Sequence, residues 1–176
     1  MKHLPLFALL LAAGAASAHV TLEQPAAPAG SSYRATFKIG HGCDGAATRA
    51  VVVTLPEGLR GAKPMPKAGW TLTTTRRPLK APYESHGKPV TDELAEARWT
   101  ANSEADYLQD AWYDEFVVRA SLPAEPGELW FAVRQRCTEG EWNWADKPSA
   151  DNPRPRAPAV RLSVVPARPA AAEHAH

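Results

Sequence analysis

An all-β fold, an antiparallel β-sandwich tied by one disulfide, is what this sequence predicts. Three observations carry that expectation. Short runs alternate apolar and polar residues, turn residues separate those runs at regular intervals, and no stretch keeps a helical period for three turns.

Read in order, the chain first shows a leader. A basic start through Lys2 is followed by an apolar stretch over 4–13, then by the small-x-small site Ala16-Ser17-Ala18. The apolar stretch is short for a membrane span, so it reads as a secretory signal cut after Ala18 rather than as a retained anchor. The mature domain is expected over 19–165. Alternation over 33–39 predicts a half-buried strand, and similar runs follow over 49–55, 69–75, 95–101, 115–122, 128–135 and 159–164. Turn punctuation such as Pro56-Glu57-Gly58 and Glu125-Pro126-Gly127 lies between them. The segment 78–89, polar and broken by Pro82, Gly87 and Pro89, reads as a surface loop. Residues 166–176 are rich in Pro and Ala and end Glu173-His174-Ala175-His176, which predicts a disordered tail.

Composition narrows the function classes. Once Lys2 leaves with the signal, 19 Lys plus Arg face 19 Asp plus Glu, a balance that points away from nucleic acid and anionic membranes as partners. No later apolar run is long enough to span a bilayer, so no stable membrane insertion is expected after cleavage. An exported chain meets oxidising conditions, where Cys43 and Cys137, the two cysteines, are expected to pair. The alternative of a two-thiolate metal site lacks a histidine or second cysteine at finger-like spacing beside either one.

The most distinctive chemistry lies at the new N-terminus. Cleavage after Ala18 exposes the α-amine and the imidazole of His19 on one residue, so both can chelate one ion with little ordering cost. An α-amine has a pKa near 8 and loses its proton to a metal at neutral pH. Nitrogen donors completed by oxygen in a tetragonal arrangement suit Cu(II). After processing Met65 is the one methionine left, which argues against a Met-rich Cu(I) site. Position alone does not decide the matter, because signal peptidase tolerates many residues after its cut.

The segments His19-Val20-Thr21-Leu22-Glu23-Gln24-Pro25, Gly42-Cys43-Asp44-Gly45, Val53-Thr54-Leu55-Pro56-Glu57-Gly58, Lys67-Ala68-Gly69-Trp70, Tyr113-Asp114-Glu115-Phe116, Gln135-Arg136-Cys137 and Glu141-Trp142-Asn143-Trp144 occur in that order. Together they resemble the YcnI-like family of exported copper-binding proteins, from His19 to about Val165. The resemblance implies a β-sandwich of the immunoglobulin or cupredoxin kind that holds Cu(II) in a monohistidine brace. It assigns amine and imidazole to His19, a carboxylate oxygen to Glu115, and a tryptophan beside the metal to Trp144. Trp142, two residues away on the same face of an extended strand, is the rival for that last place.

Copper trafficking or homeostasis is therefore the expected function, without catalysis and in the periplasm or outside the cell. A periplasmic copper chaperone or copper transporter is the expected partner. The competing expectation is a copper-dependent oxidative enzyme, similar to polysaccharide monooxygenases, whose brace needs a second histidine from His41 or His86. A third is a structural sandwich domain without metal. His41, between Gly40 and Gly42, and His86 are both expected at the surface, and His174 and His176 at most to bind metal loosely. No nucleophile triad or phosphate-binding glycine loop stands out.

Overall fold

Strand-forming runs and the turns between them become eleven strands in the computed structural model, which describes residues 19–167. These are β1 (Thr21–Leu22), β2 (Ala26–Pro28), β3 (Ser32–Ile39), β4 (Thr48–Thr54), β5 (Arg60–Pro64), β6 (Trp70–Ser85), β7 (Lys88–Ala101), β8 (Asp114–Ser121), β9 (Gly127–Cys137), β10 (Glu141–Trp144) and β11 (Val160–Val165). The predicted leader through Ala18 and all but the start of the predicted tail, with His174 and His176, lie outside the described residues.

Two sheets form the sandwich. The smaller has the order β1-β3-β8-β5; the larger runs β2-β11-β9-β4-β7-β6, with β10 added to β9. Pairing is antiparallel except where β11 lies parallel to β2. The alternation read from 33–39 is the pleat of β3: Tyr33, Ala35, Phe37 and Ile39 point inward and are buried, while Arg34 is exposed. Aromatic rings join the layers. Phe37 of the small sheet meets Phe131 of the large one edge-on at 5.2 Å, and Phe116 meets Trp70 at 5.2 Å and Trp99 at 5.5 Å. Each fully buried Phe of this kind contributes roughly 1.5–3 kcal/mol of transfer free energy.

The disulfide Cys43–Cys137 joins the loop after β3 to the end of β9, an early loop tied to a late strand. The segment 78–89 departs from the expected loop. It forms the outer half of a long β6–β7 hairpin, paired from Trp70 with Ala101 to Ser85 with Lys88 and interrupted between Pro78 and Tyr83. Pro78 and Pro82 are tolerated because β6 is an edge strand. His86 and Gly87, with φ of 50° and 72°, make the two-residue turn that suits the twist of a hairpin.

Candidate metal centre

One end of the sandwich gathers the start of β1, the end of β3, the start of β8 and the end of β10. Thr21 pairs with Lys38, and Lys38 with Glu115, so one register row crosses three strands. Two residues before Thr21, the half-buried His19 ring stands edge-on to Trp144, with centroids 5.6 Å apart and planes at 80°. Alternation along β10 puts Trp142 and Trp144 on one face, where they stack at 5.1 Å. Trp144 is the buried member and the one that meets His19; Trp142 lies further out, under the Arg156 guanidinium at 4.9 Å.

A buried amide fixes this corner. Gln135 is fully buried, in line with Phe131, Val133 and Cys137 on the inward face of β9. Its Oε1 accepts from Trp144 Nε1 at 3.3 Å, and its Nε2 donates to His41 O and to Thr48 Oγ1, each at 2.7 Å. A buried amide with its donors and acceptor engaged is a rigid brace, since breaking any bond strands a polar atom. His41 is thereby held half-buried rather than on the open surface, with its ring 6.1 Å from Trp144 at 85°. Sequence reading missed Gln135, and of His41 it expected a surface position unless the competing two-histidine brace used it. The available signal was Gln135 itself, a polar side chain at an inward position of an apolar strand.

The chain after His41 is pinned as well. Gly42 N–H donates to Asp110 Oδ1 at 2.8 Å, and a Cβ on Gly42 would lie 1.9 Å from Ala46 O. Cys43 then bonds covalently to Cys137, and its backbone pairs with Ala46.

Glu115 and Asp114, adjacent carboxylates at the start of β8, are engaged differently. Asp114 forms an ion pair with Lys67 at 2.6 Å and accepts from Glu115 N–H at 2.8 Å. Glu115 Oε1 accepts from the Tyr113 hydroxyl, and that bond pushes the exposed Tyr113 phenol up to about 12. Between Thr21 and Glu115, Lys38 is drawn aside by Glu23 at 2.7 Å. Glu115 thus sits at the same end of the sheet as His19, two strands over. Among the described residues no group of three or more His, Cys, Asp or Glu side chains is placed to hold a metal ion. A metal at this end would have to draw on a backbone nitrogen as well, and a chain beginning at His19 would offer its α-amine. His86 is elsewhere: it turns the β6–β7 hairpin beside Arg60, Tyr83 and Arg119, near the opposite end of the small sheet. No described helix is long and apolar enough to cross a membrane.

Residues 19–164 match the family described as a domain of unknown function, DUF1775, which is the family of the YcnI-like proteins. Among solved structures, an uncharacterized protein from Nocardia farcinica with an immunoglobulin-like fold is similar at 28% identity and a TM-score of 0.64, covering 83% of this chain and 97% of its own. The seventh ScaB type I cohesin from Pseudobacteroides cellulosolvens is 11% identical with a TM-score of 0.41, covering 90% and 97% respectively, a likeness too slight to build on. No curated protein matches.

Proposed function

The chain belongs to the DUF1775 family, and we propose that it is an exported, non-catalytic Cu(II)-binding protein of copper trafficking or homeostasis. Cleavage after Ala18 leaves His19 to supply its α-amine and imidazole, and Glu115 to supply a carboxylate oxygen. The contact between His19 and Trp144 carries this reading: a side chain at the outset of the described fold is not frayed but seated against a buried indole. An indole there excludes water on one side of the imidazole and limits its rotation, which preorganises a ligand. The donor set fits the ion, since amine and imidazole nitrogens with one carboxylate suit Cu(II). A disulfide fits an oxidising compartment, the periplasm or the medium. The partner that fits such a protein is a periplasmic copper chaperone or a copper transporter.

Titration of Cu(II) into the chain beginning at His19 tests the proposal. One equivalent should bind, and His19→Ala with Glu115→Gln should abolish tight binding while the fold persists. Equal binding by parent and double variant overturns it.

A second reading, a copper-dependent oxidative enzyme with a two-histidine brace, draws support from the placement of His41 beside Trp144. Its test is reductant-driven, copper-dependent oxidation of a polysaccharide.

A further inference from the structure

We propose that the end of the small sheet far from His19 is a docking surface for an acidic segment of a partner protein, read by Arg34, Arg119, Lys63 and Arg60. The surface is independent of the copper reading above.

Strand register builds it. Arg34 of β3 pairs with Arg119 of β8, and Arg119 with Lys63 of β5, so three cations form one row across three adjacent strands. Residues paired in this way share a face of the sheet, and all three side chains are exposed. Neighbouring strands lie about 5 Å apart, so the row sets like charges side by side, which destabilises a sheet. Among the described residues none of the three has a carboxylate partner. Lys38 and Lys67, at the His19 end, are by contrast paired with Glu23 and Asp114.

A backbone irregularity turns a fourth cation to the same face. Arg60 and Lys63 are three positions apart and in a regular strand would point to opposite faces. The register shifts between them, where Gly61 has a φ of 59°, so that Arg60 pairs with Ser121 while Lys63 pairs with Arg119. Such a bulge re-aims a side chain, and here it brings Arg60 outward beside the row.

The surroundings hold these groups without neutralising them. Arg60 lies over the Tyr83 ring at 4.7 Å, and Arg119 Nε donates to Ser32 Oγ at 3.2 Å. Each contact steadies a guanidinium plane and leaves its terminal N–H groups for oxygen acceptors, which carboxylates supply in matching geometry. Arg60, Lys63, Arg119 and Tyr83 line a cleft of about 820 Å³ beside the tip of the β6–β7 hairpin. Glu84 and Glu125 border it too, and neither pairs with a cation. Glu84 alternates with the half-buried Tyr83 and Ser85, so its side chain leaves the strand on the face away from Arg60.

Length decides the occupant. The row spans two strand spacings, about 10 Å, and runs past the cleft to Arg34, further than one small anion reaches. Alternate side chains of an extended segment stand about 7 Å apart on one face, so carboxylates at alternate positions reach across the row. Charge complementarity of this kind speeds encounter and selects the partner.

The experiment titrates the isotope-labelled mature chain at low ionic strength with a hexapeptide alternating glutamate and serine, and follows amide shifts by nuclear magnetic resonance. A hexapeptide alternating glutamine and serine, citrate, and phosphatidylglycerol vesicles are the comparison probes. Expected are saturable shifts centred on 32–34, 60–63 and 119–121, absent with the glutamine peptide and diminished by salt. Lys63→Gln with Arg119→Gln should lower affinity at least about 5-fold, as the loss of two charge-assisted contacts at an exposed site implies. Lys147→Gln with Arg154→Gln removes the same charge from the exposed loop after β10 and should leave affinity unchanged. All four positions are exposed, and an unchanged melting temperature verifies each fold. Equal losses in the two double variants reduce the effect to net charge and overturn the proposal, as does the absence of saturable shifts or of any loss in the first variant. Tighter binding of citrate, or binding of the vesicles, overturns it in favour of a small anion or a lipid surface. Self-association that the first double variant abolishes overturns it in favour of a second copy of this chain.

Discussion

The imidazole of His19 stands edge-on to the indole of Trp144, 5.6 Å between centroids, and Trp144 in turn donates its Nε1–H to the buried Gln135. A paramagnetic ion held at His19 therefore sits close to one particular indole among the six tryptophans of the chain. Cu(II) added to the processed protein should quench part of the tryptophan emission, and Trp144→Phe should remove most of that quenching. A variant quenched as strongly as the parent places the ion elsewhere.

Gln135 joins Trp144, Thr48 and His41, so its loss strands several buried polar atoms at once. Gln135→Leu should cost on the order of 2–5 kcal/mol, from about 1–3 kcal/mol per unsatisfied buried group. It should also weaken Cu(II) binding without touching a donor atom. Urea denaturation and a metal titration on the same preparation check both effects.

Gly42→Ala forces a methyl group against Ala46 O, where the Cβ position is 1.9 Å from that oxygen. The turn must open, and with it the path from His41 to the disulfide. A loss of roughly 2–4 kcal/mol, read as a lower melting temperature, is expected of such overpacking against backbone.

Reduction of Cys43–Cys137, or replacement of both residues by Ser, releases a closure of 94 positions. The unfolded chain gains the entropy that the crosslink withheld, worth about 4–5 kcal/mol by loop-length reasoning. The denaturation midpoint in urea should fall accordingly.

Burial pushes the Tyr33 phenol up to about 12, and its hydroxyl donates to Gln24 O at 2.6 Å. The folded pKa stands above the unfolded value near 10, so the neutral side chain's contribution is complete below pH 10. It is lost as pH rises from there through about 12. Unfolding free energy measured across that interval should fall less steeply in Tyr33→Phe than in the parent; parallel slopes would remove Tyr33 from the explanation.

Much of the sandwich was legible because strand period is a local property. The 33–39 alternation is the inward and outward faces of β3, and 49–55 and 115–122 likewise fall on β4 and β8. The β6–β7 hairpin was not, because Pro78, Pro82 and Pro89 break a local pattern, and the tolerance of Pro78 and Pro82 depends on β6 being an edge strand, which is a tertiary fact. At the candidate site, His19 and Trp144 could be named from processing and motif, and alternation already set Trp142 and Trp144 on one face. The half-buried seat of His41 could not be read, since what holds it is an amide 94 positions away. Gln135, polar among the inward residues of β9, was the visible clue to that link.

The central claim is that the α-amine of His19 binds copper together with its own imidazole, and the direct measurement is Cu(II) titration followed by electron paramagnetic resonance. It compares protein beginning at His19 with protein carrying one extra N-terminal residue, which keeps every side chain and removes the chelating amine. One tightly bound equivalent with a nitrogen-rich tetragonal spectrum, abolished by the extension, is the predicted result. Identical affinity and spectra from the two proteins would contradict the account.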